Sequence, residues 1–501
     1  MAELDVVYAH PSKHPLGFDF CKGEAPSSPY LLIPVGAVGL ANLLQANGCR
    51  LAGLNYPLEA LLNPNYNLEE ALVGFASARL VLIDLHWYEH AYGALDVARA
   101  VKRVLPRAKV VLGGFTASAY AREILKGFPE VDFVIRGDAE VPLLHLVEWL
   151  KTEGGTSALA SVPNLTFRVN GRVAESARSY CANSGDLERL DFANLGFLAH
   201  AREYRRCQYV GTEIASPADP RAFLGQWLPT GRGCRYNCSF CGGSASAQKE
   251  LTGRQGIVAR PALKVAEEAA RLSRLGVHQV SFTLDLVTLG ESYWRSLFGQ
   301  MESDRVRIGL YNEHFQLPSK AFVQAFARIA DLSHSQLAPT PLVGSEKIRR
   351  LNGKLYSNQE FLEILAQLKQ HAIPIFVYFS LNLPGEDEKS FQKTLELAAR
   401  VADLYPPHLL KMINMCHTID PLSPMSARPQ QYGVHVRFRT FRDYYEYCRA
   451  TPHAVAGARV GDWRGFSAKS RSPGALEQMA ARWAEFCRQQ HCQCYPVPPT
   501  W

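Results

Sequence analysis

A chain of 501 residues holds about three domains at roughly 150 residues each. With 47% hydrophobic and 20% charged residues, the composition is that of a globular protein and excludes disorder. The 54 basic residues exceed the 47 acidic ones by seven, with no long run of one sign, so neither nucleic acid nor a membrane surface is implied as a partner. No stretch approaches about 18 uninterrupted apolar residues, so no membrane-spanning helix is expected. The start, Met1-Ala2-Glu3-Leu4-Asp5, carries acid where a secretory signal needs base, and a cytoplasmic location is the expectation. The 12 cysteines of so long a chain do not read as a disulfide scaffold; some should bind metal or stay reduced.

In chain order, Leu4–Ala9 reads as a strand and Gly36–Gly48 as a helix that stops at a glycine. Arg50–Leu54 and Arg79–Asp84 are further strands. The apolar stripe Ala94, Val97, Ala98, Val101 and Leu105 predicts a helix over 92–105. Lys109–Leu112 closes on Gly113-Gly114, Val131–Ile135 follows another helix, and Val141–Thr152 ends the set. Apolar strands alternating with helices predict an α/β fold with a doubly wound parallel sheet over residues 1–155. Such sheets bind ligands beyond the carboxyl ends of their strands.

Residues 156–222 read as a connector. Within it Asn164–Val169, Asn170-Gly171 and Arg172-Val173 predict a hairpin, and Arg205-Arg206 with the nearby tyrosines predicts a solvated surface. A second run follows over 223–416, with strands expected at 223–231, 279–285, 305–313, 335–343, 374–382 and 408–416. Helices are expected between them at 261–275, 291–301, 319–330, 357–372 and 388–402. Six units are too few for a closed eight-stranded barrel and predict an open, partial one, with its chemistry at the strand carboxyl ends. Residues 417–501 form a small, mostly helical C-terminal region with an aromatic helix at 441–447 and a last helix at 475–488.

The strongest signal is Gly231-Arg232-Gly233-Cys234-Arg235-Tyr236-Asn237-Cys238-Ser239-Phe240-Cys241, three thiols spaced C-x3-C-x2-C after the first barrel strand. A short glycine-flanked loop can wrap a cubane iron–sulfur cluster, and three ligands for four irons leave one iron open. Structural zinc would want a fourth ligand close by, and no Cys or His follows within about 30 residues.

This loop resembles that of the radical S-adenosylmethionine (SAM) superfamily. The resemblance implies that Cys234, Cys238 and Cys241 hold a [4Fe–4S] cluster whose open iron chelates SAM, and that the reduced cluster cleaves SAM to an adenosyl radical. Phe240 matches the family's aromatic position near the adenine. Asp285, after strand two, matches a polar position for the methionyl amine or else caps a helix. Ser345, in Val343-Gly344-Ser345-Glu346, resembles the family's post-strand-four segment or caps the helix that follows. Leu383-Pro384-Gly385-Glu386 looks like the family's turn after strand five. There Gly385 would admit close backbone approach, or the segment simply leads into a helix.

The first domain resembles the cobalamin-binding domain that precedes the barrel in one branch of the superfamily. The matching stretch runs through Asp84-Leu85-His86-Trp87, Gly113-Gly114-Phe115-Thr116 and Ile135-Arg136-Gly137-Asp138. Glycines at Gly113, Gly114 and Gly137 would let a flat macrocycle or its tail lie on backbone. His86, Trp87 and Thr116 are cofactor-binding candidates; the other reading of 86–88 is an aromatic packing patch. The cobalamin signature Asp-x-His-x-x-Gly appears at Ser12–Gly17 with serine for the aspartate. His14 therefore lacks the carboxylate that would orient it on cobalt.

Glu313 and His314, ending strand three, would point to the barrel mouth and orient a substrate or take its proton, or else form an ordinary polar strand end. Cys487, Cys492 and Cys494 read as free thiols, since an auxiliary cluster would want four ligands and only Cys448 lies near in sequence. The branch implies a cobalamin-dependent C-methyltransferase holding both cofactors against one cavity. It would act on a small, natural-product-type molecule, with flavodoxin or ferredoxin as electron donor. The alternatives are a cyclase or ring-rearranging enzyme without methyl transfer, and a binding regulator without turnover.

Overall fold

A computed structural model describes residues 4–13, 30–211, 221–454 and 465–497. The chain divides into two compact units: Met1–Cys207 with Gln248–Gln255 and Phe438–Gly457, and Gln208–Ala247 with Gly256–Arg437 and Ala458–Trp501.

The first unit is built on strands β1 (Leu4–His10), β2 (Cys49–Asn55), β3 (Leu80–Asp84), β4 (Lys109–Gly113), β5 (Phe133–Ile135), β6 (Leu165–Val169) and β7 (Arg172–Glu175). They form one sheet in the order β2-β1-β3-β4-β5-β6-β7. The first five strands are parallel, as their continuous apolar runs require. Val6, Val7, Leu80, Val81, Val110 and Leu112 are buried under helices such as Val35–Ala46 and Ala91–Val104.

The expected hairpin exists, with Asn170 and Gly171 at φ +49° and +76°, the geometry of a two-residue turn. It is no free connector, however: β6 pairs antiparallel with β5 and extends the first sheet past residue 155. Nor is the following segment a solvated surface. Leu195, Phe197, Leu198 and Tyr204 enter the same core, and the Tyr204 hydroxyl receives the Ile33 N–H at 2.8 Å. The aromatic helix runs further than expected, Phe441–Ala454, and packs in this unit rather than in a separate C-terminal region. Phe441 lies on Phe128 and Tyr445 on Tyr92, at ring centroids 5.5 and 5.4 Å apart.

The second unit contains β8 (Gly225–Leu228), β9 (Gly231–Cys234), β10 (Gly256–Ala259), β11 (Gln279–Phe282), β12 (Gly309–His314), β13 (Gln336–Pro339), β14 (Ile375–Leu381), β15 (Leu410–Cys416), β16 (Val434–Val436), β17 (Phe466–Ala468) and β18 (Gln493–Tyr495). Seven parallel strands make the open barrel sheet in the order β18-β15-β14-β13-β12-β11-β8. The six expected strands are all present. The seventh, β18, and the β16–β17 ribbon add three short strands to the mostly helical C-terminal region. The strand expected at 223–231 breaks at Pro229, where the chain leaves the barrel sheet; β9 then pairs antiparallel with β10 and delivers Cys234.

Side chains alternate across the barrel sheet. Phe282, His314 and Phe379 lie on one face: His314 packs on Phe322 and Phe379 on Trp483, both from flanking helices. Trp227, Tyr311, Glu313 and Tyr378 share the other.

Candidate cofactor sites

The cysteine loop is held from outside itself. The Ser239 backbone N–H and hydroxyl both donate to Asn352 Oδ1, at 2.9 and 2.8 Å, and the Cys238 thiol donates to the Asn352 carbonyl at 3.2 Å. The Gly242 N–H donates to Asp420 Oδ2 at 3.0 Å, and a Cβ there would sit 2.8 Å from the Pro421 carbonyl. Gly242 thus permits the loop's close seating. Backbone N–H groups of Tyr236 and Gly243 point at the sulfurs of Cys234 and Cys241, each at 3.3 Å. Burial pushes all three thiols up from their ordinary range. Ligation to a cation reverses that preference, and N–H donors on the sulfurs favour bound thiolate. The donor set fits a cluster.

Asp285 is nearly fully buried and accepts from five groups: Val287 N (2.9 Å), Thr288 Oγ1 (3.0 Å), Phe315 N (2.8 Å), Gln316 N (3.2 Å) and His314 Nδ1 (3.1 Å). Burial pushes its carboxyl up, but His314 and the backbone donors outweigh this and hold it below the usual range. Asp285 therefore caps Leu286–Leu289 and pins the segment after β12. Glu313 and His314, expected together at the barrel mouth, are separated by strand alternation. Glu313 accepts from the Tyr311 hydroxyl at 3.2 Å on the inner face, while His314 lies outward on Phe322 with Asp285. Burial raises the Glu313 carboxyl, opposed by Tyr311 and Lys354.

Lys354 is buried, donates to Thr340 Oγ1 at 2.6 Å and to the Phe315 carbonyl at 3.2 Å, and burial pushes its ammonium down to about 8. Ser345 precedes Glu346–Leu351 but makes no capping hydrogen bond, so the capping alternative is not what its hydroxyl does. Gly385 has φ +76° with no atom within 4 Å of a Cβ, so backbone conformation rather than crowding requires glycine. Glu386 folds back to accept from the Asn382 and Leu383 N–H groups at 2.8 and 3.2 Å, and Arg471 closes the turn on Asn382 and Leu383.

The Phe240 ring stacks on His417 at 3.8 Å and 21°, His417 Nε2 meets Ser380 Oγ at 3.0 Å, and Phe240 packs on the Leu342, Val343, Ile348 and Leu383 cluster. Sequence reasoning missed Asn352, Lys354, His417 and Arg471 as site residues. His417 follows the expected strand 408–416, whereas Arg471 follows β17, too short to carry a strand signal of its own.

In the first unit, Gly113 ends β4 with open space where a Cβ would stand, and at Gly114, φ +110°, a Cβ would sit 2.6 Å from His86 Cα, so only glycine lets the two backbones pass this closely. Thr116 Oγ1 donates to the His86 carbonyl at 3.1 Å, and the Gly137 N–H donates to Ser118 Oγ at 2.9 Å. At Gly137, φ +68°, a Cβ would sit 3.0 Å from Thr252 Cγ2. His86 and Trp87 form an aromatic patch with Phe115 and Tyr30, at ring centroids 4.9 and 5.0 Å apart. Of the three glycines only Gly113 opens onto free space beside these rings, where a flat macrocycle could lie on backbone; Gly114 and Gly137 are packed against His86 and Thr252. His14 lies outside the described residues.

Sequence reasoning also missed a buried group where the strand order reverses between β1 and β3, the position at which doubly wound sheets bind ligands. His10 Nδ1 meets Asp84 Oδ1 at 2.9 Å, the Tyr8 hydroxyl donates to the same oxygen at 2.7 Å, and His90 Nδ1 stands 3.7 Å from Asp84 Oδ2. Cys487, Cys492 and Cys494 are free thiols, and the neighbouring Cys487 together with burial pushes the Cys494 thiol up.

The Radical SAM superfamily profile matches residues 228–398, and the B12 binding domain profile matches residues 25–147. The chain is 25% identical to a tRNA-2-methylthio-N(6)-dimethylallyladenosine synthase of Bifidobacterium adolescentis over 63% of this chain and 58% of that one. It is 21% identical to the anaerobic magnesium-protoporphyrin IX monomethyl ester cyclase of Cereibacter sphaeroides, over 61% of this chain and 47% of that one. The chain thus spans about half the length of the curated relatives it matches. Its fold is similar to the radical S-adenosylmethionine methyltransferase TsrM of Kitasatospora setae, solved with cobalamin and a [4Fe–4S] cluster. That match has a TM-score of 0.64 at 13% identity and covers 97% of this chain and 89% of that one. A cobalamin-dependent S-adenosylmethionine radical enzyme, OxsB, follows at TM-score 0.55 and 11% identity, covering 79% and 51%. No helix among the described residues is long and apolar enough to cross a membrane.

Proposed function

We propose that this chain, which carries a B12-binding domain ahead of a radical SAM domain, is a cobalamin-dependent methyltransferase acting on a carbon of a small, natural-product-type molecule. What carries the reading is a TsrM-like fold over 97% of the chain together with three thiols on a clamped loop at the matching domain's start. The two domains imply a [4Fe–4S] cluster, SAM and cobalamin. When bound, these supply one-electron cleavage of SAM and a transferable methyl group.

In this assignment Cys234, Cys238 and Cys241 hold the cluster, with Asn352 and Asp420 fixing their loop at Ser239 and Gly242. Phe240 and His417 offer a stacked aromatic edge to the adenine, and Ser345 and the open backbone at Gly385 offer polar contacts to the rest of SAM. Asp285 positions the strand ends rather than meeting the methionyl amine with a free oxygen, because all its accepting capacity is engaged. Glu313 is the inner-face group that would orient substrate or take its proton. Gly113, His86 and Trp87 offer the corrin its resting place, with Gly114, Gly137 and Thr116 holding the backbone around it.

The likeness to the Cereibacter cyclase favours one second reading, a cyclase that transfers no methyl. Anaerobic reconstitution with cobalamin, SAM bearing a labelled methyl group and a flavodoxin or ferredoxin donor separates the readings. Methyl transfer should produce S-adenosylhomocysteine and labelled product. Deoxyadenosine with no label in product would assign the cyclase. Neither product would leave a binding regulator.

A further inference from the structure

We propose that His10, Asp84 and His90 form a binding site for a divalent transition-metal ion of the zinc or ferrous class, separate from the cysteine loop. The three side chains come from the carboxyl ends of β1 and β3 and the turn after β3. One ligand atom from each lies within 4.8 Å of the others, and all three residues are buried. An ion with nitrogen and oxygen ligands at about 2.0–2.2 Å draws such atoms together with small side-chain shifts.

The surroundings are those of ligands rather than of core residues. His10 Nε2 meets the Tyr30 carbonyl at 3.0 Å, which fixes the ring with Nδ1 toward the site. The Tyr8 hydroxyl donates to Asp84 Oδ1 and holds the carboxylate in place. Metal-bound imidazoles and carboxylates characteristically carry such outer hydrogen bonds. A buried His10–Asp84 ion pair explains these two residues and leaves the third unexplained. Among the described residues, both ring nitrogens of His90 and Asp84 Oδ2 have no hydrogen-bond partner, although His90 is 0% and Asp84 7% exposed. Native proteins rarely leave buried polar atoms unmet, and each such atom calls for an explanation. One cation between Asp84 Oδ2 and His90 Nδ1, 3.7 Å apart, satisfies both. With two imidazoles, one carboxylate and no thiol, the donor set suits zinc or ferrous iron better than calcium or magnesium. Binding replaces the proton on His10 Nδ1, which leaves to solvent.

The test is a zinc(II) titration of the full chain carrying Cys234→Ser, Cys238→Ser and Cys241→Ser, so that the loop thiols do not compete. One zinc should be retained through gel filtration and raise the melting temperature. X-ray absorption should show a nitrogen and oxygen shell with two imidazoles and no sulfur. His90→Ala on this background should weaken zinc binding by at least about a hundredfold. His90→Cys should keep the ion and add one sulfur to its shell, which preserves the test if the alanine variant does not fold. Absence of retained zinc, a sulfur-rich shell before the cysteine is introduced, or a nitrogen and oxygen shell that survives His90→Ala would each overturn the proposal.

Discussion

The two units each carry a buried histidine–aspartate pair bridging neighbouring parallel strands, His10–Asp84 at 2.9 Å and His314–Asp285 at 3.1 Å. Both aspartates are held below the usual carboxylate range against the upward push of burial, in each case with the histidine as the leading opposing group. The pairs differ in what else reaches the carboxylate. Asp285 accepts from backbone and side chain on both oxygens, and its donors belong to the segments that shape the barrel mouth. Among the described residues Asp84 accepts on Oδ1 alone, and its second oxygen faces a histidine whose ring nitrogens have no hydrogen-bond partner. Similar chemistry in similar strand-end positions thus does two things: a saturated carboxylate organises backbone, while a half-satisfied one keeps capacity for a ligand.

The comparison breaks first if the two units do not load independently. Cys238→Ala should abolish the visible absorbance of a thiolate-bound iron–sulfur centre and all SAM cleavage, while cobalamin affinity stays within about twofold. Loss of cobalamin binding in that variant, read by absorbance after desalting, would end the separation. The next largest effect sharpens the contrast between the carboxylates. Asp285→Ala strands five buried donors and should cost about 3–5 kcal/mol in urea unfolding. Asp84→Ala in metal-free protein strands two and should cost about 1–3 kcal/mol. Equal losses would show that Asp84 is as structural as Asp285.

A third carboxylate, Glu386, tests what incomplete satisfaction does to titration. Burial pushes it up to about 7 from an ordinary 4.5, against the pull of Arg471 and two backbone N–H groups, and its Oε1 has no hydrogen-bond partner among the described residues. Below about 4.5 both folded and unfolded chains hold the proton. Between 4.5 and 7 only the folded chain does, so stability should fall as pH rises across that window, by up to roughly 3 kcal/mol. Above 7 this dependence ends. Glu386→Gln keeps the shape without the charge and should flatten that part of the pH–stability curve, measured by denaturant unfolding at fixed ionic strength.

The strands were legible because buried parallel strands read as continuous apolar runs, and the strands of both main sheets appeared near their expected bounds. Segment 184–207 was not, because Leu195, Phe197, Leu198 and Tyr204 reach the core without the period of a helix or strand. β18 was missed because three residues are too few to show alternation, and it gains its place only by pairing with β15. In the site, spacing alone exposed Cys234, Cys238 and Cys241. Pairing Glu313 with His314 overlooked the two-residue period that turns adjacent strand residues to opposite faces. His10 and Asp84 stand 74 residues apart, and a lone histidine in an apolar run reads as core. Only the strand order places them side by side at the switch point.

The smallest expected effect concerns the barrel's other strand-end pair, Phe240 and His417, stacked at 3.8 Å. His417 is held from behind by Ser380, so its ring is fixed whether or not an adenine is present. An aromatic pair of this kind is worth about 0.5–1.5 kcal/mol beyond its buried area. Phe240→Leu keeps apolar volume against Leu342, Val343, Ile348 and Leu383 but removes the ring. SAM affinity, measured by equilibrium dialysis on cluster-loaded protein, should therefore fall about two- to tenfold with iron content unchanged. His417→Gln can keep a hydrogen bond to Ser380 while losing the stack, and should reproduce the same loss. If iron falls with SAM affinity in Phe240→Leu, the ring serves to hold the cysteine loop rather than to meet the nucleoside, and this end of the barrel is structural in the way Asp285 is.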